Sequence, residues 1–170
     1  MADGETFPII SSKQVSAGFI YESMGWSLDL ATYYKNINGK TALSLGFLNP
    51  NDSSFHIGEQ GILGVDFYAK KDFSFIKTWI SYSFNNVISN FNGINNNEYY
   101  ANNVDQLHRL NLVGLYKTNS RWEFGGVFTF STGRPVTYPT GRYEQNGLVV
   151  ADYSERNGNR LPVYHRLDIS

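Results

Sequence analysis

The sequence predicts an all-β chain whose antiparallel up-and-down strands form part of a transmembrane β-barrel. Three observations carry that expectation. Apolar and polar residues alternate with period two through segments of about ten residues. Very short turns alternate with long polar connections, as in outer-membrane barrels. Aromatic residues make up 16% of the 170 residues while charged residues reach only 17%, below the roughly 25% of soluble domains.

The strands read in order as follows. Lys13 to Glu22 offers Val15, Ala17, Phe19 and Tyr21 to one side. Trp26 to Lys35 sets Trp26, Leu28, Leu30, Thr32 and Tyr34 against Ser27, Asp29, Ala31, Tyr33 and Lys35. Gly61 to Lys70 sets Leu63, Val65 and Phe67 against Ile62, Gly64, Asp66 and Tyr68. Phe73 to Phe84 offers Ile76, Thr78, Ile80, Tyr82 and Phe84. Leu107 to Lys117 aligns Leu110, Leu112, Gly114 and Tyr116 opposite Arg109 and Asn111. Arg121 to Ser131 alternates Trp122, Phe124, Gly126, Phe128 and Phe130 with Glu123, Gly125, Val127, Thr129 and Ser131. Tyr164 to Ser170 sets Leu167 and Ile169 against Arg166 and Asp168. Helical spacing would scatter these apolar sets around a cylinder, whereas strand spacing lines them up. Segments of about ten residues suit a tilted strand crossing a bilayer.

Ser23-Met24-Gly25, Lys70-Lys71-Asp72 and Thr118-Asn119-Ser120 read as tight hairpin turns. Between them lie the polar stretches Asn36 to Gln60, Asn85 to Gln106 and Thr132 to Leu161, rich in Asn, Gly, Ser and Tyr. Structureless connections of about twenty residues are rare in compact soluble domains. Asn95-Asn96-Asn97 reads as a solvated loop tip, and the pair Gly125-Gly126 as a bend or bulge within its strand.

Alternation alone does not separate a soluble sandwich from a membrane barrel, because both bury one register. The barrel assigns Leu28, Leu30, Leu63, Val65, Phe67, Ile76, Ile80, Leu110, Leu112, Phe124, Phe128, Phe130, Leu167 and Ile169 to lipid. It assigns Asp29, Asp66, Arg109, Asn111, Glu123, Arg166 and Asp168 to a polar lumen. Trp26, Tyr34, Tyr82, Tyr116 and Trp122 fall near the ends of the predicted strands, where an interfacial aromatic girdle sits. A soluble β-sandwich carbohydrate-binding module would instead bury Trp122, Phe124, Phe128 and Phe130 against a second sheet.

No catalytic constellation emerges. His56, His108 and His165 are far apart and none has metal-ligand spacing, so neither a metal nor a cofactor is expected. Cysteine is absent, which removes disulfides and thiolate ligands. A net charge of −1 without a basic stripe argues against a nucleic-acid partner. No run approaches the ~18 apolar residues of a spanning helix. Met1 to Glu5 carries neither a basic n-region nor an apolar h-region. The loop tyrosines Tyr99, Tyr100, Tyr138, Tyr143 and Tyr153 are candidates for stacking on a ligand, although Tyr is also common at barrel rims.

Three stretches carry a family resemblance. Arg121 to Pro135, RWEFGGVFTFSTGRP continuing VTYP, resembles the aromatic strand and following loop near the C-terminus of TonB-dependent receptors, particularly those of Bacteroidetes. Arg160 to Ser170, RLPVYHRLDIS, resembles the strand start that follows that loop. Gly58 to Tyr68, GEQGILGVDFY, is similar to a repeated strand start of such barrels. The resemblance implies about seven strands of a 22-stranded barrel in the cell outer membrane of a Gram-negative bacterium. It also implies an N-terminal plug domain and the last strands lying outside residues 1–170, which makes this chain a fragment. Its partners would be outer-membrane lipid, the plug, TonB through the missing part, and an unknown imported ligand such as an iron chelate, cobalamin or a glycan. Another outer-membrane barrel, a porin or an adhesin, stays open as an alternative.

Overall fold

The computed structural model describes residues 8–43, 55–118, 121–153 and 155–170. Within them the chain is all-β and antiparallel, with one turn of 3-10 helix. Its strands are β1 (Ser11–Ser23), β2 (Trp26–Leu43), β3 (Phe55–Asp72), β4 (Ile76–Phe91), β5 (Tyr100–Ala101), β6 (His108–Lys117) and β7 (Glu123–Ser131). There follow β8 (Pro135–Val136), β9 (Pro139–Gln145), β10 (Leu148–Tyr153), β11 (Asn159–Arg160) and β12 (Tyr164–Ile169). The main sheet is a meander in the order β1-β2-β3-β4-β6-β7-β12, with β5 added on β4 beyond the end of β6. Among the described residues it is open: β1 and β12 are its edges, and no barrel closes.

Sequence alternation and ladder register agree throughout. Residues directly opposite one another in an antiparallel ladder share a face. One row of the sheet is Phe19, Leu30, Phe67, Tyr82, Leu110, Phe130 and His165. The next is Tyr21, Leu28, Ala69, Ile80, Leu112, Phe128 and Leu167. Each of the seven predicted segments falls mainly within a strand of the sheet, with parity preserved across every pairing.

Their lengths differ from expectation. β2 and β3 each run for 18 residues and β4 for 16, well beyond the ~9–11 that cross a bilayer. The stretches expected as loops are therefore partly strand. Asn36–Leu43 pairs with Phe55–Gly61, and β4 continues through Asn85 to Phe91. Residues 44–54 of the first expected loop, and Asn119 and Ser120 of the third expected turn, lie outside the described residues. Gly39 explains why the strand survives an Asn- and Gly-rich stretch. It sits at φ 78° at the register shift between Asn38 and Lys40, a bulge that bends the strand without ending it.

The turns are corrected likewise. Met24 and Gly25, both at positive φ, form a two-residue hairpin loop between Ser23 and Trp26. Lys70, Lys71 and Asp72 belong to β3, and the turn is Phe73-Ser74-Phe75, closed by Phe73 N–H donating to the Ile76 carbonyl at 2.7 Å. Gly125 and Gly126 do not mark a bulge: register runs through them unbroken on both sides. The third long stretch, expected as loop from Thr132, holds the β8–β11 pair and the β9–β10 hairpin around Asn146-Gly147.

The described residues form no conventional core. The buried apolar residues among those described are Ala69, Val87, Phe91 and Ile94, too few for a chain of this size. Trp122 is 63% exposed and Phe124 49%, while Phe128 and Phe130 are half-buried by their sheet neighbours. The burial that a sandwich demands at these aromatics is not found.

Candidate functional site

The two faces of the main sheet are the first element of the site. All fourteen residues expected to face lipid lie on one face, linked by register from Leu28 to Leu167 and from Ile76 through Tyr116 to Phe124. All seven residues expected in the lumen lie on the other. There Asp29, Tyr68, Ser81, Asn111, Thr129 and Arg166 form one row, and Asp66, Ser83 and Arg109 the next. Glu123 joins this polar face opposite Lys117, and Asp168 opposite Val127. Arg166 Nη2 sits 2.7 Å from Asp168 Oδ1, an ion pair along that face.

The apolar face has limits. On β4 its continuous part runs from Ile76 to the row of Asn86, which Val15, Tyr34 and Leu63 share. Ten residue steps at ~3.4 Å give a band about 34 Å long, or ~25 Å tall for a strand tilted by ~45°. Beyond that row the face becomes mixed, with Asn36, Asn38, Glu59 and Asn90 interspersed with the exposed Ile88 and Ile57.

At the turn end an aromatic rim is assembled. Trp122 stacks on Phe124 with ring centroids 6.4 Å apart, and Phe75 meets Tyr116 edge-on at 6.3 Å. Lys71 Nζ lies 4.9 Å from the Trp26 ring and 5.5 Å from the Phe73 ring, and donates to the Met24 carbonyl. Its aliphatic stem thus lies along the apolar surface with the ammonium at the edge. Three of the five expected girdle residues, Trp26, Tyr116 and Trp122, belong to this rim. Tyr34 and Tyr82 are mid-strand because β2 and β4 are longer than expected. Sequence reasoning missed Phe73 and Phe75, reading them as the start of a strand when they form the turn.

At the other end the loops are tied together by polar side chains. Asp105, 1% exposed, accepts Val87 N–H at 2.7 Å and pairs with Arg160 Nη2. Arg160 Nη1 also donates to the Gly133 carbonyl at 3.2 Å. A Cβ on Gly133 would collide with the Leu161 carbonyl, so only glycine fits where these segments cross. Asn95 and Arg156 exchange two bonds of 2.9 Å, and Asn157 Nδ2 donates to the Ala101 carbonyl at 2.9 Å. Asn95-Asn96-Asn97 is therefore more than a solvated tip. All three take left-handed φ values, and Asn95 bolts this turn to the long segment before β12. Asn tolerates that conformation better than other side chains.

The loop tyrosines do not converge. Tyr99 Oη donates to Glu59 Oε1, and that hydrogen bond, with the Glu59 charge, raises the phenol pKa above its ordinary 10. Tyr100 is half-buried on β5, and desolvation raises its pKa while the Arg156 charge opposes the rise. Tyr138, Tyr143 and Tyr153 are exposed on or beside the β9–β10 hairpin. The histidines stay apart too. His56 is buried with Nδ1 2.6 Å from the Asn92 carbonyl, and His108 Nδ1 lies 2.8 Å from Tyr82 Oη. No metal-ligating cluster forms among the described residues.

Where the polar face meets the loops there is a cleft of about 240 Å³, lined by Tyr33, Asp66, Ser83, Asn85, Val104, Gln106, Arg109 and Arg134. Arg109 Nη2 donates to Gln106 Oε1 at 2.8 Å, and Gln106 Nε2 to the Thr132 carbonyl at 3.1 Å. The Tyr33 ring lies flat over Gly64, its direct ladder partner, where any Cβ would collide with it. Asp66 and Arg109 were expected on this face. Arg134 and Gln106 come from segments read as loop.

No family model, no curated protein and no solved structure matches the chain.

Proposed function

We propose that this chain is part of the wall of an outer-membrane β-barrel transporter, a TonB-dependent receptor that takes up a scarce, bulky ligand. One observation carries the reading: a seven-strand antiparallel sheet leaves a continuous apolar face uncovered, bounded at the turn end by an aromatic rim. In water such a face is an aggregation hazard, whereas in lipid it is the stabilised side of a barrel wall. With strands tilted as in such barrels the continuous band would stand about 25 Å tall, the height of an outer-membrane apolar band, and the polar face would line a water-filled interior. Topology adds a constraint. β1 and β12 run in the same direction, so an antiparallel barrel closes only with an odd number of further strands between them. The structured loops opposite the tight turns form the ligand-facing side. The receptor identity rests on the three resembling stretches, Gly58 to Tyr68, Arg121 to Pro135 and Arg160 to Ser170.

Single cysteines test the assignment of faces, because the chain has none of its own. Phe128→Cys and Thr129→Cys are neighbours on opposite faces of β7. In outer membranes holding the full-length protein, a water-soluble maleimide is expected to label Thr129→Cys and spare Phe128→Cys. Equal labelling of the two contradicts the lipid-facing assignment.

A further inference from the structure

The cleft at the top of the polar face has a chemistry that the transport reading does not require. Two guanidinium groups reach it from different elements, Arg109 from β6 and Arg134 from the segment after β7. Neither has a carboxylate partner among the described residues. Arg109 is oriented by Gln106, which the Thr132 carbonyl holds in turn. The backbone of Arg134 is fixed as well. Its carbonyl accepts Leu161 N–H at 2.9 Å, and the preceding Gly133 carbonyl accepts from Arg160. The Arg109 guanidinium is thus oriented before any ligand arrives, while Arg134 has a fixed backbone at the same cleft, and guanidinium forks suit oxyanions.

The remaining lining makes the site selective. Asp66 is an acceptor-only carboxylate. A ligand that satisfies this lining presents anionic oxygens to the arginines and an O–H to Asp66. A fully ionised oxyanion does the first and repels Asp66.

We propose that this cleft binds a phosphate group that carries a P–O–H, as hydrogen phosphate or as the monoanion of a phosphate monoester, and discriminates against sulfate. Arg109 and Arg134 hold the anionic oxygens, while Asp66 accepts from the P–O–H. Tyr33 and Ser83 supply further hydroxyls at the margin. The assignment rests on the cleft alone and holds whether or not the sheet lies in a membrane.

Calorimetric titration of the full-length, detergent-solubilised protein with inorganic phosphate, glycerol phosphate and sulfate tests it. Phosphate is expected to bind at least about tenfold tighter than sulfate, since one acceptor–acceptor clash in place of a hydrogen bond exceeds the 1.4 kcal/mol of a tenfold step. Arg109→Gln and Arg134→Gln should each weaken phosphate binding by about tenfold or more, and Arg142→Gln on the exposed β9 should leave it unchanged. Asp66→Asn, whose amide can donate, should narrow the gap between phosphate and sulfate. Glycerol phosphate binding as tightly as phosphate identifies an ester site, and weaker binding a free-phosphate site. Absence of phosphate binding in protein with an intact strand signature by circular dichroism overturns the proposal. So does phosphate affinity that the two arginine variants leave unaltered, or equal affinity for sulfate. A failed titration with intact membrane insertion refutes the cleft and leaves the barrel reading standing.

Discussion

Leu112→Arg is expected to prevent stable assembly, whereas Asn111→Arg, one residue away, is expected to be tolerated. Leu112 lies in the row of Tyr21, Leu28, Ala69, Ile80, Phe128 and Leu167, midway down the apolar band. An arginine at the midplane of a barrel's lipid face costs about 2–4 kcal/mol, a large part of the 5–15 kcal/mol that holds a typical folded protein together. Asn111 points to the polar face beside Ser81 and Thr129 Oγ1, which donates to its Oδ1 at 3.1 Å. A guanidinium there meets polar neighbours and water. Yield of folded protein in isolated outer membranes, compared with total expression, reads the difference. Equal yields from the two variants would mean that the apolar face does not meet lipid. In a soluble protein with this face hidden in an assembly, both variants would also remain free of the membrane fraction.

The second large effect concerns the loops. Arg160→Met strands the carboxylate of Asp105, which is 1% exposed, with Val87 N–H as its remaining side-chain partner. Removing one partner of a buried ion pair costs about 3–5 kcal/mol, and Arg160 itself is partly exposed, so the lower end applies. Asp105→Asn keeps an acceptor for Val87 and costs less, about 1–2 kcal/mol. The pair joins β4, the segment before β6 and the segment after β7. Its loss should therefore open the loops and leave the sheet intact. Amide hydrogen exchange over residues 102–106 and 133–161 should accelerate roughly a hundredfold in Arg160→Met, the equivalent of about 3 kcal/mol of local opening. Unchanged protection there would show that the hydrogen bonds of Asn95, Arg156 and Asn157 hold the loops by themselves.

The strands were legible because period two survives any register that keeps one face apolar. A slip by one residue would move Leu110, Leu112, Phe128 and Phe130 together to the polar side. For the same reason the two face assignments follow from alternation alone, without knowledge of which strands pair. Strand ends were less legible. Asn36 to Lys40 has loop composition, and only the bulge at Gly39 reveals that the ladder continues. Asn85 to Phe91 is similar, its polar residues being paired with β3 and β5. The β9–β10 hairpin had a local signal in Asn146-Gly147, submerged in a stretch otherwise rich in turn formers. Asp105 had none. Its role depends on Arg160, 55 residues away, and on a backbone amide of β4, so it belongs to tertiary structure. Tyr33 over Gly64 and the cleft around Arg109 and Arg134 arise in the same way, from register and loop closure.

The most direct test of the account is where the full-length protein resides and how it behaves on release. Membrane flotation followed by detergent extraction, with electrophoresis of unheated and boiled samples, gives both answers. The account predicts recovery with the outer membrane and a mobility that shifts on boiling, as a folded barrel unfolds. A product soluble without detergent, with a single mobility, would contradict it and require another partner for the apolar face from Leu28 to Leu167.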